Sequence, residues 1–162
     1  MRRRTMLCAA LWAMTAAAAG ADGEKPMNVH ASLSVDARHD KVLVTFRIEN
    51  RGERRAGLPR EIAADTALTR RLFDLRRHPG DAEVPYTGRM VKRGPPTLDD
   101  YVELAPHSAH THTIDITEAY AFSPGTHTYV IRYDGAALSD VRQLESAADF
   151  ATEAVMFSHT QR

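Results

Sequence analysis

The sequence has one cysteine, one tryptophan and only three lysines (Lys25, Lys41, Lys92) in 162 residues. The cysteine, Cys8, lies inside an N-terminal apolar run, so the remainder of the chain has no disulfide framework, no thiolate metal site and no cysteine nucleophile. Basic and acidic residues number 21 each, which leaves no positive excess to hold nucleic acid. The basic side is almost entirely arginine, a bias that genome composition alone can produce. No histidine is followed by glutamate, so the H-E-x-x-H zinc helix is missing. A G-x-S-x-G elbow, a phosphate loop and a dinucleotide fingerprint are missing too. Nothing in the sequence asks for a cofactor. The expectation is a protein that is not an enzyme, with unrecognised chemistry left as the remote alternative.

The N-terminus has the layout of an export signal. Arg2, Arg3 and Arg4 precede an apolar run from Met6 to Ala19, and small residues through Ala21 offer cleavage after Ala19 or Ala21. The run is shorter than the roughly 20 residues that span a bilayer. Leu7 before Cys8 excludes a lipoprotein signal. We therefore assign residues 1–21 to a signal peptide and 22–162 to one domain, secreted or periplasmic, with no membrane association after cleavage. Losing three arginines leaves 18 basic against 21 acidic residues, a formal charge of −3. About 140 residues can bury an adequate core without a covalent staple.

Beyond the signal the hydrophobic pattern has a period of two. Met27, Val29, Ala31, Leu33 and Val35 alternate with polar residues, as do Val42, Val44, Phe46 and Ile48. The turn Ala37-Arg38-His39-Asp40 makes these two segments a hairpin. Further strands are predicted over Arg71–Arg76, Glu83–Val91, Tyr101–Leu104, His110–Ile116, Thr126–Tyr133 and Thr152–His159. Turn signals at His78-Pro79-Gly80-Asp81 and Ser123-Pro124-Gly125 separate some of them. Leu58-Pro59 is an extended kink, Ile62–Leu68 a short helical turn or loop, and Asp140–Ala151 the only stretch of helical character. This pattern predicts an all-β fold, an immunoglobulin-like antiparallel β-sandwich of seven to eight strands.

One constellation has the composition of a metal site. His110 and His112 share a face of their strand, beside Ile114 and Ile116, and His107 lies just upstream. If that strand pairs with Thr126–Tyr133, His127 lies opposite. Neutral His110, His112 and His127 could then hold copper or zinc. The alternative is that they are half-buried, hydrogen-bonded or solvated histidines. Asp99-Asp100 lies in a proline-rich loop and is expected to be solvated.

From residue 83 onward several motifs occur in a specific order. Val84-Pro85-Tyr86-Thr87-Gly88-Arg89-Met90-Val91-Lys92-Arg93 leads into Tyr101-Val102-Glu103-Leu104-Ala105-Pro106. Ile114-Asp115-Ile116-Thr117-Glu118-Ala119-Tyr120 and Ser123-Pro124-Gly125-Thr126 follow. This order resembles the non-catalytic N-terminal domain of the deuterolysin and peptidyl-Lys metalloendopeptidases, the aspzincins, over about residues 27–134. His107 departs from the glycine common after the proline, and His127 from a common aromatic residue. The catalytic zinc domain of that family has no counterpart here. The resemblance implies a prodomain-like β-sandwich that acts in trans as chaperone or inhibitor of another secreted protein, a peptidase. The expected docking surface is the loop from Lys92 to Asp100, with Tyr86, Arg89, Lys92, Arg93 and Tyr101 as contact residues.

Overall fold

The computed structural model describes residues 28–162. The signal expected over residues 1–21, the short leader after it and Met27 lie outside the described residues. Ten strands, one short helix and two 3-10 turns make up the described chain.

The first sheet has the order β1-β2-β7, built from Val29–Asp36, Leu43–Asn50 and Ser108–Asp115. The expected hairpin is present, and β1 pairs antiparallel with β2 along its full length. Its turn closes with the Lys41 N–H donating to Arg38 O at 3.1 Å. His39 and Asp40 take φ of 54° and 61°, the two left-handed residues of a type I′ turn. Val42, Val44, Phe46 and Ile48 are fully buried, while Arg47 and its register partner Thr111 face solvent. Across the outer face the hydroxyls of Thr45 and Thr113 meet at 2.8 Å, a directly opposed threonine pair.

The second sheet is organised by one long strand. β8 (Gly125–Leu138) pairs on one side with β10 (Val155–Gln161) and then β9 (Ala147–Ala151). On the other it pairs with β4 (Phe73–His78) and, at its far end, with β3 (Ala56–Pro59). β5 (Ala82–Glu83) extends the sheet beyond β4, and β6 (Tyr101–Leu104) extends it beyond β3. Between β9 and β10 the ladder would leave the Tyr133 backbone unpaired. Thr152 fills the gap: its N–H donates to Tyr133 O and its hydroxyl accepts from Tyr133 N, both at 3.0 Å.

The two sheets pack face to face. Phe46 of β2 stacks on Phe73 of β4 at 5.7 Å and meets the edge of Tyr133 of β8 at 5.3 Å. Tyr129, Ile131 and Tyr133 are fully buried on the inner face of β8, as the alternation predicts. Each such side chain contributes roughly 1.5–3 kcal/mol by leaving water. Tyr120 closes one side of the core. Its hydroxyl accepts from Phe73 N at 3.0 Å and donates to Phe73 O at 3.2 Å, satisfying both polar groups at the start of β4.

Three expectations need correction. Glu83–Val91 is not a strand. Pairing stops at Glu83, and beyond Pro85 only an isolated bridge joins Tyr86 to Tyr120. Proline removes a ladder donor, and the segment instead borrows the Ala119 carbonyl through the N–H groups of Thr87 and Gly88. Asp140–Ala151 is a turn, a 3-10 turn at Leu144–Ser146 and then β9. β8 runs five residues past Tyr133, and the edge it exposes recruits Ala147–Ala151 as a strand against local preference. The Leu58-Pro59 kink is part of β3, with proline at the strand end, where its missing N–H costs least. These additions raise the strand count above the seven to eight expected and leave the sandwich architecture intact.

On the outer face of the second sheet Asp74 receives Arg76 Nε at 2.9 Å and Arg132 Nε at 3.0 Å. Partial burial pushes its carboxyl pKa up, but the two guanidiniums outweigh that and hold it below the usual aspartate range. A depressed native pKa stabilises the fold above the unfolded value of about 3.9, and that stability is lost as pH falls through the lower native value. Asp74→Asn is therefore expected to flatten the acid limb of the urea midpoint against pH below about pH 4. An acid limb of unchanged steepness would show that Asp74 does not carry it.

Candidate functional site

The three histidines of the expected metal set do not come together. β7 pairs with β2 in the first sheet, whereas His127 lies on β8 in the second, opposite His159 of β10. His110 and His112 are half-buried on the inner face of β7, with rings stacked at 6.5 Å. Their Nε2 atoms donate to the carbonyls of Ala63 at 2.7 Å and Asp65 at 2.9 Å. They thus fasten the short helix α1 (Arg60–Ala63) and the residues after it onto β7. His127 uses both nitrogens: Nε2 donates to Pro124 O at 2.8 Å and Nδ1 accepts from Arg77 Nη2 at 3.0 Å. No lone pair is left on that ring for a cation. Among the described residues no group of three or more His, Cys, Asp or Glu is placed to hold a metal ion. His107 caps the β6–β7 turn with φ of 53°, a left-handed position that glycine takes most readily, and its Nε2 meets Glu53 Oε1 at 3.0 Å.

The residues expected to contact a partner divide into three groups. Tyr86 is turned inward: its ring meets the edge of Tyr120 at 5.3 Å and its hydroxyl donates to Arg89 O at 2.8 Å. It also lies directly over Gly88, where a Cβ would come within 2.7 Å of the Tyr86 hydroxyl. Tyr86 therefore shapes the start of the loop while remaining half-exposed. Arg89 and Lys92 are exposed on the loop, among Met90 (75 % exposed), Val91 and Leu98. Arg93 and Tyr101 face a common cleft.

That cleft, about 280 Å³ in volume, runs beneath the proline loop. Gly94, Pro95 and Pro96 line it together with Pro59, Arg60 and Glu61, and Tyr101 and Tyr133 reach it from the second sheet. The loop is fixed at both ends. Val91 N donates to Thr69 O at 2.9 Å. At the other end Asp100 Oδ2 accepts from Thr97 N at 2.8 Å and from the Thr97 hydroxyl at 3.1 Å. These bonds hold the Asp100 carboxyl below the usual carboxylate range. Asp99 is exposed, as expected, and Asp100 is partly exposed while its carboxyl caps the turn at Thr97.

Charge in the cleft is unevenly neutralised. Arg70 grips Glu61 with two donors, Nε at 2.8 Å and Nη2. Arg93 donates to Thr69 Oγ1 at 2.9 Å, and the carboxylate nearest to it, Asp65, is 3.7 Å away. Arg60 stands 3.9 Å from the same Asp65. Two guanidiniums thus share one carboxylate at long range.

The Tyr133 hydroxyl is the least expected member. Tyr133 is fully buried, and its hydroxyl is the one buried side-chain polar atom without a hydrogen-bond partner among the described residues. Burial raises its pKa, so it is a neutral O–H, and the charges bearing on it come chiefly from Glu61 and Arg70, which line the cleft. The strand alternation puts Tyr133 on one face with Tyr129 and Ile131. The available signal was that a buried tyrosine hydroxyl needs a partner that the alternation does not supply. Arg60, Glu61 and Arg70 lie in a segment without periodicity and carry no such signal.

No family model matches the chain, and no curated protein does. The X-ray structure of a Northeast Structural Genomics Consortium target is similar at a TM-score of 0.40 and 18 % identity, over 82 % of this chain and 86 % of that one.

Proposed function

We propose that the chain is a secreted, non-enzymatic binding module that docks on another secreted protein, a peptidase, as the N-terminal domains of aspzincins accompany theirs. The observation that supports this reading is the loop from Thr87 to Asp100. It is exposed almost throughout and carries Met90 and Val91 at 75 % and 44 % exposure between the cations Arg89 and Lys92, with Leu98 at 43 % further along. Exposed apolar side chains rimmed by charge are the surface pattern of a protein-docking site. The loop is anchored at both ends, so docking orders little further backbone.

The test uses residues 22–162 mixed with the catalytic domain of an aspzincin peptidase. The expected result is a stoichiometric complex on size-exclusion chromatography that falls apart when Met90 and Leu98 are both changed to aspartate. N-terminal sequencing of the exported chain should start at residue 20 or 22. Absence of a complex, or zinc-dependent proteolysis by the pure chain, would overturn the reading.

A further inference from the structure

We propose that the cleft beneath the proline loop receives a carboxylate-bearing side chain from an extended peptide, held by Arg60 and Arg93, with the Tyr133 hydroxyl donating to a ligand acceptor at the floor. Three observations converge on it. The first is the buried, partnerless O–H of Tyr133, a residue of the cleft lining, with the charged groups Glu61 and Arg70 in the same lining. Buried polar groups in folded proteins almost always have partners, so an orphan beside a cleft marks a place where a ligand completes the set.

The second is the arrangement of charge. Arg70 is closed off by Glu61, whereas Arg60 and Arg93 have no carboxylate contact closer than Asp65 at 3.9 and 3.7 Å and feel Asp100, which Thr97 engages, only at longer range. Their unused donors suit a carboxylate, which guanidinium groups bind in a fork. The third is the apolar part of the lining, Pro59, Pro95, Pro96 and Tyr101, which offers surface to the stem of a glutamate or aspartate and its neighbours. At about 280 Å³ the space takes one or two residues, not a folded domain.

The inference draws on the binding-module reading only for the source of the peptide. Its test uses a fluorescein-labelled hexapeptide with a single internal glutamate between prolines, and the same peptide with glutamine instead. By fluorescence anisotropy the glutamate peptide should bind about tenfold more tightly than its twin, and weaken in high salt. Arg60→Gln and Arg93→Gln should each lose about fivefold or more. Tyr133→Phe should weaken the peptide severalfold while its melting temperature stays level or rises, because the deleted hydroxyl has no partner in the free protein. A merely structural role for Tyr133 would give the opposite: lower melting and unchanged affinity. Equal binding of the two peptides, no binding of either, indifference to both arginine substitutions, or displacement by equimolar inorganic phosphate would overturn the proposal. A peptidase complex that forms normally with both arginines changed would sink the cleft assignment alone. Glutamate-selective peptide binding without any peptidase complex would sink the docking reading alone.

Discussion

Gly135→Ala is expected to destabilise the fold by about 2–3 kcal/mol, although alanine in a strand ordinarily gains roughly 0.5–1 kcal/mol over glycine. The reversal comes from the ring two residues earlier. A Cβ at position 135 would lie 2.1 Å from the Tyr133 hydroxyl and 2.5 Å from Cζ, far inside contact distance. The ring cannot swing aside, because Phe46 meets it at 5.3 Å and Phe150 at 6.0 Å in the closed core. Either β8 bends or the core opens. Chemical denaturation of Gly135→Ala, Tyr133→Leu and the double variant measures the effect. The coupling between the two sites should be at least about 1 kcal/mol, since leucine removes the atoms that clash. Additive costs in that cycle would mean the ring relaxes freely and the argument fails.

Asn50→Asp should cost about 3 kcal/mol or more at neutral pH. Asn50 is 3 % exposed and fully engaged. Its amide nitrogen lies 2.7 Å from Arg54 O and 3.1 Å from both Leu104 O and Ala105 O, while its Oδ1 accepts from Gly52 N at 3.0 Å. One side chain thus ties the end of β2 to the turn after it and to the β6–β7 connection. An aspartate keeps the acceptor for Gly52 but turns a carboxylate toward three carbonyl oxygens. Its native pKa must rise, so the deficit is full above that raised value and shrinks as the group protonates in acid. Urea midpoints of the two proteins should converge below about pH 4. A constant gap down to that pH would mean that the carbonyls are not what the carboxylate opposes.

Alternation made the centre of the sandwich legible. Val44, Phe46 and Ile48, and likewise Tyr129, Ile131 and Tyr133, are half-exposed patterns in sequence and fully buried rows in structure. The second hairpin-forming signal, Pro79-Gly80 after β4, also marks a real turn. What escaped was decided by pairing. β9 exists because β8 continues past Tyr133, and no local property of Ala147–Ala151 announces it. The histidines show the same limit in the candidate site. Spacing put His110 and His112 on one face, which is correct, but their partners are carbonyls of the Ala63–Asp65 segment, and no side-chain pattern encodes a carbonyl. His127 was set beside them by an assumed strand pairing, and the real neighbour of β7 is β2. The cleft was half legible: Arg93 and Tyr101 come from the motif-bearing block, while Arg60 and Arg70 come from the aperiodic stretch before it.

The long strand β8 also sets an order of assembly. As a chain is made from its N-terminus, β1, β2 and β7 can complete their sheet once Asp115 is available. β8 then has β4 and β3 to pair with, but its other edge waits for β9 and for β10, which ends at Gln161. Until then Tyr129 and Ile131 belong to an open, apolar strand edge, the kind of surface that templates mispairing between chains. The vulnerable interval therefore lies between the appearance of β8 and that of β10 and is confined to one edge, and a holding factor that shields β8 over residues 125–138 would suppress aggregation more than one that shields the first sheet.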